Sequence, residues 1–74
     1  MVDKKFNYTG LKCPMPVLKT KKELRTLASG QTIEVIADDV GAKKDIPALL
    51  HKIGDELVEM REEGSKIIFL IKKT

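Results

Sequence analysis

The chain has one cysteine, no tryptophan, one tyrosine and two phenylalanines in 74 residues. A single cysteine has no partner within the chain, so no disulfide supports the fold, and no Cys-x-x-Cys pair exists for a dithiol cycle. One cysteine and one histidine, His51, do not make a credible zinc or iron–sulfur site. Aromatics at 4% leave little for stacking on nucleic-acid bases. There is no glycine-rich phosphate loop. No apolar run approaches the roughly 20 residues that cross a bilayer, and no N-terminal stretch reads as a signal peptide. Five glycines and three prolines, with 42% hydrophobic and 34% charged residues, argue against disorder. The length suits one domain over residues 1–74, with a small core. A lone reduced thiol fits a cytoplasmic setting.

The net charge is +3, but it is unevenly spread. Residues 1–27 hold seven basic and two acidic residues, a net +5; residues 28–74 hold seven basic and nine acidic, a net −2. The positive excess surrounds the cysteine. It favours acidic partners by steering, although a solvated helix face gives the same pattern.

Hydrophobic periodicity yields six elements. "KKFNY" (4–8) reads as a strand and "TG" (9–10) as a turn. From Pro14 to about Ala28 the period is helical, with Val17, Thr20, Leu24, Leu27 and Ala28 on one face and Gly30 near its C-terminal cap. "QTIEVIA" (31–37) is a β-branched strand. Ile46, Leu49, Leu50 and Ile53 mark a second helix ended by Gly54. Pro47 is tolerated in a first turn, so that helix either begins near Asp45 or is kinked. "DELVEMRE" (55–62) and "KIIFLIKK" (66–73) form a hairpin through Glu63, Gly64 and Ser65.

The order β-α-β-α-β-β suits an α+β fold: a two-layer α/β sandwich with a four-stranded mixed sheet and both helices on one face. Right-handed crossover makes the first two strands parallel. The last strand is apolar on both faces, which marks a central position. Its second face is either an association surface or is shielded by Lys66 and Lys72.

The stretch "GLKCPMPVLK" (10–19) places Cys13 between Gly10 and a helix start, with Pro14 and Pro16 after it. With Cys13 at the N-cap, the two prolines remove two of the four unpaired helix-start amides and pre-set φ. The Cys13 and Met15 amides are then left for an anion. The helix dipole adds roughly half a positive charge, and Lys12 a full one. Such a thiol drops from about 8.5 to between about 3.5 and 7.5 and is nucleophilic at neutral pH. A buried structural cysteine before an ordinary Pro-started helix is the bland alternative. Cysteine is a poor N-cap, however, and with proline at about 5% of residues both flanking prolines arise by chance about once in 400. His51, late in the second helix, reads as a surface or core-edge residue rather than a base for the thiol. One activated thiol without a base can still accept a group, hold it and pass it on; a persulfide suits this anion-stabilising site.

"TGLKCPMPVLKTKKEL" and "ADDVGAKKDIPALLHKIGDELVE" resemble the two signatures of the TusA/SirA-like sulfur carriers: Cys-Pro-x-Pro at the first helix, and an Asp-Asp pair followed by Asp-Ile-Pro. The resemblance covers essentially the whole chain. It implies that Cys13 carries the persulfide, framed by Gly10, Pro14 and Pro16. It extends to Asp38, Asp39, Asp45 and Pro47 in the second signature. It implies a carrier rather than a stand-alone turnover enzyme, with no cofactor or metal. The partners would be a desulfurase or rhodanese-type donor and an acceptor thiol protein. The pathway would be tRNA 2-thiolation, or molybdenum-cofactor, sulfur-oxidation or selenium chemistry. Lys12, Lys19, Lys22 and Arg25 are the candidate docking residues. Asn7 departs from the family pattern, which has an aspartate three residues before the glycine. Two other classes remain open: a small basic RNA-binding module using phosphate contacts, and a regulatory interaction module with Cys13 as a redox sensor.

Overall fold

Alternating apolar residues dictate the two central strands, each of which buries one side. Ile33, Val35 and Ala37 are buried while Glu34 and Ile36 are half-buried. The same alternation buries Ile67, Phe69 and Ile71 and leaves Ile68 and Leu70 half-covered. The computed structural model describes residues 2–12 and 15–74. Its elements are β1 (Lys4–Asn7), α1 (Met15–Leu24), β2 (Thr32–Ala37), α2 (Val40–Ile53), β3 (Glu56–Glu63) and β4 (Lys66–Lys72). The strands form one mixed sheet in the order β1-β2-β4-β3. β1 and β2 are parallel, and β4 is antiparallel to both neighbours. The two helices cover the face carrying Ile33, Val35, Phe69 and Ile71, which is the expected two-layer α+β sandwich.

The expected boundaries of both helices need correction. α1 ends at Leu24, not near Ala28. Its last turn tightens, with Thr26 N–H donating to Glu23 O at 3.0 Å and Leu27 N–H to Leu24 O at 3.3 Å. The Thr26 hydroxyl also donates to Glu23 O. Ala28 N–H donates to Gln31 Oε1, which withdraws it from the helix, and Ala28 is exposed instead of sharing the buried face. Gly30 is therefore not the α1 cap; its N–H pairs with Lys73 O beside the start of β2.

α2 begins at Val40, five residues before Asp45. Asp39 is its N-cap, accepting from Gly41 N–H at 3.3 Å. Ala42, Ile46 and Leu50 give a buried stripe at i, i+4 and i+8. Pro47 thus lies inside the helix, where it lacks the N–H that the Lys43 carbonyl would accept. Gly54 ends α2 as expected, with φ of 83°, a conformation that side chains with a Cβ resist.

β4 is central, as its two apolar faces required. On the face away from the helices, Ile68 lies between Ile36 and Arg61, and Leu70 between Glu34 and Glu59. Arg61 bridges Glu59 at 3.1 Å and Glu63 at 3.6 Å, so long charged side chains flank this stripe. Lys66 and Lys72 sit at the ends of β4, paired in register with Glu63 and Glu56. The hairpin turn is Gly64-Ser65, with Glu63 still in the ladder opposite Lys66.

Candidate thiol-loop site

The parallel register sets the site. Asn7 pairs with Ile36, so the residues just past β1 run alongside those just past β2. The Asn7 side-chain oxygen accepts from Thr9 N–H at 3.0 Å and from the Thr9 hydroxyl at 2.8 Å. This is an Asx-type turn. Asparagine thus performs by hydrogen bonding the ordering that an aspartate there would give. Leu11 N–H donates to Tyr8 O at 3.2 Å, closing the turn around Gly10. Gly10 has φ of 86°, and an added Cβ would meet nothing within 4 Å, so backbone conformation alone selects glycine.

Gly10 N–H reaches across to Asp38, whose two carboxylate oxygens lie at 3.0 and 3.1 Å. Asp39, the next residue, caps α2. The Asp-Asp pair therefore divides its work: Asp38 holds the loop and Asp39 starts the helix. Gly10, Leu11, Lys12, Asp38 and Asp39 line a hollow of about 370 Å³. A larger hollow of about 520 Å³, lined by Val40, Gly41, Lys43, Lys44, Asp45 and Met60, shares none of these residues.

Cys13 and Pro14 lie outside the described residues, as does the expectation that Cys13 is the N-cap. Around them, Lys12 is exposed and Met15 opens α1. Met15 N–H donates to Lys12 O at 2.8 Å. The expectation that this amide stands free for an anion is corrected: it is already bonded to the Lys12 carbonyl. Pro16 is fully buried, and its carbonyl accepts from the buried Thr20 hydroxyl at 2.7 Å. Pro16 therefore anchors the first turn in the core as well as presetting φ.

Lys19 and Lys22 are exposed on α1, and Arg25 is exposed just beyond it. Sequence reasoning missed two apolar neighbours: Met15 is 42% and Leu18 53% exposed on the same helix. The missed signal was their place off the Pro16–Thr20–Leu24 stripe. Asp45 and Pro47 are half-buried within α2 and are not among the described residues that line the Gly10–Asp38 hollow. His51 is exposed in the last turn of α2. Among the described residues no group of three or more His, Cys, Asp or Glu side chains could hold a metal ion, and no helix is long and apolar enough to cross a membrane.

Tyr8 leads into this loop and is buried, with its ring stacked on Phe6 at 5.9 Å between centroids. Burial, and secondly the Glu23 carboxylate, push its phenol up from 10.0 to about 12.

The described residues make a small two-layer α+β sandwich with residues 8–12 pinned to the end of β2. The sequence model of the family described as Sulfurtransferase TusA matches residues 4–73, and the chain belongs to that family. It is 47% identical over 72 residues to the sulfur carrier protein TusA of Allochromatium vinosum, covering 97% of this chain and 95% of that one. It is 40% identical to the sulfur carrier protein TusA of Pseudomonas aeruginosa strain LESB58, covering 97% and 91%. Among solved structures, the SirA-like protein of Desulfitobacterium hafniense superposes with a TM-score of 0.83 at 22% identity, over 93% of this chain and 95% of that one, a likeness of fold.

Proposed function

We propose that this protein is a sulfur carrier whose Cys13 accepts sulfane sulfur from a donor protein and delivers it to an acceptor thiol protein. One observation carries the reading: a carrier needs a single thiol, and the chain's only cysteine falls inside the segment that matches the TusA family. The Cys13 thiolate attacks the terminal sulfur of a donor persulfide. A new S–S bond forms on Cys13, the donor S–S bond breaks, and the donor thiolate leaves with the electron pair. In the second half an acceptor thiolate attacks the terminal sulfur on Cys13 and releases the Cys13 thiolate. The two halves balance without an external oxidant or reductant. A cysteine desulfurase or a rhodanese-type protein fits the donor role, and tRNA 2-thiolation or a related sulfur-trafficking route fits the destination. A thiol that must be free in each cycle suits the reducing cytoplasm.

Lys12 and the start of α1 supply positive charge and the helix dipole, which favour the thiolate and the persulfide anion. Lys19, Lys22 and Arg25, interspersed with exposed Met15 and Leu18, form a basic and apolar face suited to an acidic protein surface. Scarce aromatics weigh against direct RNA readout. The test is intact mass after incubation with a cysteine desulfurase and cysteine. The expected result is a gain of one sulfur atom, removed by a thiol reductant and absent in Cys13→Ser. No gain, together with salt-sensitive RNA binding, would replace the carrier by the RNA-binding reading.

A further inference from the structure

Four consecutive amides between β1 and the cysteine segment are all bonded. Tyr8 N–H donates to Ile36 O at 2.7 Å, Thr9 N–H to Asn7 Oδ1, Gly10 N–H to Asp38, and Leu11 N–H to Tyr8 O. The Thr9 and Leu11 bonds are made within the loop and would follow it wherever it moved. The Tyr8 bond continues the parallel ladder with β2. The Gly10 bond is different in kind. It ties the loop, three residues before Cys13, to a carboxylate 28 positions away in sequence. Asp38 is itself held in place, since it stands between the last residue of β2 and the Asp39 cap of α2.

We propose that Asp38 is a positioning residue for the Cys13 segment, fixing residues 8–12 against the end of β2 through the Gly10 amide. Its consequence for sulfur transfer rests on the carrier reading; its effect on the loop does not. A bond from the Gly10 amide to a side chain 28 positions away restrains the loop in a way that the local Thr9 and Leu11 bonds do not. Residues 8–12 so fixed set where the chain enters the Cys13 segment, and small misplacement of a reacting group lowers rate steeply. The burden falls on the transfer step rather than on docking, because the tether acts on the loop backbone and not on Lys19, Lys22 or Arg25.

The test compares Asp38→Ala and Asp38→Asn with the wild type, after thermal unfolding shows each variant folded. Asparagine keeps one acceptor oxygen for Gly10 N–H; alanine keeps none. In Asp38→Ala the Gly10 amide should exchange with solvent deuterium about tenfold faster, and the maximal rate at which the donor loads this protein should fall about tenfold, with the concentration of this protein that half-saturates the donor little changed. Asp38→Asn should recover most of both. Unchanged Gly10 exchange in Asp38→Ala overturns the proposal, as does an Asp38→Asn variant as impaired as the alanine, because charge and not the bond would then be acting. Failure of wild-type Cys13 to load sulfur would overturn the carrier reading instead, and Gly10 exchange would still decide the tether.

Discussion

At the scale of the residue, Tyr8 offers a direct readout of the loop that leads to Cys13. It is the only tyrosine and there is no tryptophan, so phenolate absorbance reports it alone. Its pKa is raised to about 12 in the folded chain, against about 10 when unfolded. Between those values the folded state holds the phenolic proton and the unfolded state does not. Stability from this group is therefore complete below about pH 10 and is lost as pH rises toward 12. Spectrophotometric titration should give a midpoint near 12, falling to about 10 in denaturant. Tyr8→Phe should flatten the decline of the urea midpoint across that window. A native midpoint near 10 would mean that the ring is not buried as described. Part of the residue scale was legible in advance: Gly10 at a turn and Gly54 as a cap. The Asp38–Gly10 bond was not, because it depends on the β1–β2 register. Two residues beyond Ile36 is Asp38 and three beyond Asn7 is Gly10, and only the pairing of Asn7 with Ile36 brings them together.

At the scale of the element, the two helices teach opposite lessons. α2 starts earlier than its apolar pattern suggests because Ala42 is small and Pro47 reads as a boundary, while Asp39 supplies a strong cap. Local proline chemistry lost to the packing of the Ala42–Ile46–Leu50 stripe. Replacing Pro47 with Ala restores a donor for the Lys43 carbonyl. Proline is about 3 kcal/mol less favourable than alanine inside a helix, and its loss returns up to about 1 kcal/mol of entropy to the unfolded chain. Pro47→Ala should therefore stabilise the protein by about 2 kcal/mol in urea unfolding; destabilisation would show that the helix has adapted to the ring. α1 ends earlier than expected because Ala28 gives its amide to Gln31. Its outer face carries the exposed Lys19 and Lys22 of the proposed docking surface. Reversing charge with Lys19→Glu and Lys22→Glu should slow sulfur transfer between proteins at low salt and leave alkylation of Cys13 by neutral iodoacetamide unchanged. Exposed charges act over about 8 Å at physiological salt, so the difference should shrink as salt is added. Equal transfer rates at low salt would return these lysines to a solvated face.

At the scale of the whole molecule, the parallel first pair, the last hairpin and the central place of β4 were legible, the last because β4 is apolar on both faces. The far face of β4 shows where sequence stops: Ile68 and Leu70 are half-covered by neighbours on β2 and β3 that only the register identifies. The end of the chain is also pinned. Asp55, buried beside Gly54, accepts from Lys73 Nζ at 3.4 Å and from Thr74 N–H at 3.2 Å, fastening the end of β4 to the α2–β3 junction. The sheet is thus fastened at this end, and residues 8–12 are tied to Asp38 at the other. The measurement that tests this account most directly is the relay of labelled sulfur from a loaded donor, through this protein, to an acceptor thiol protein. The wild type should carry label on Cys13 and pass it on, and Cys13→Ser, folded to the same extent, should do neither. Label reaching the acceptor equally well through the serine variant would contradict the account.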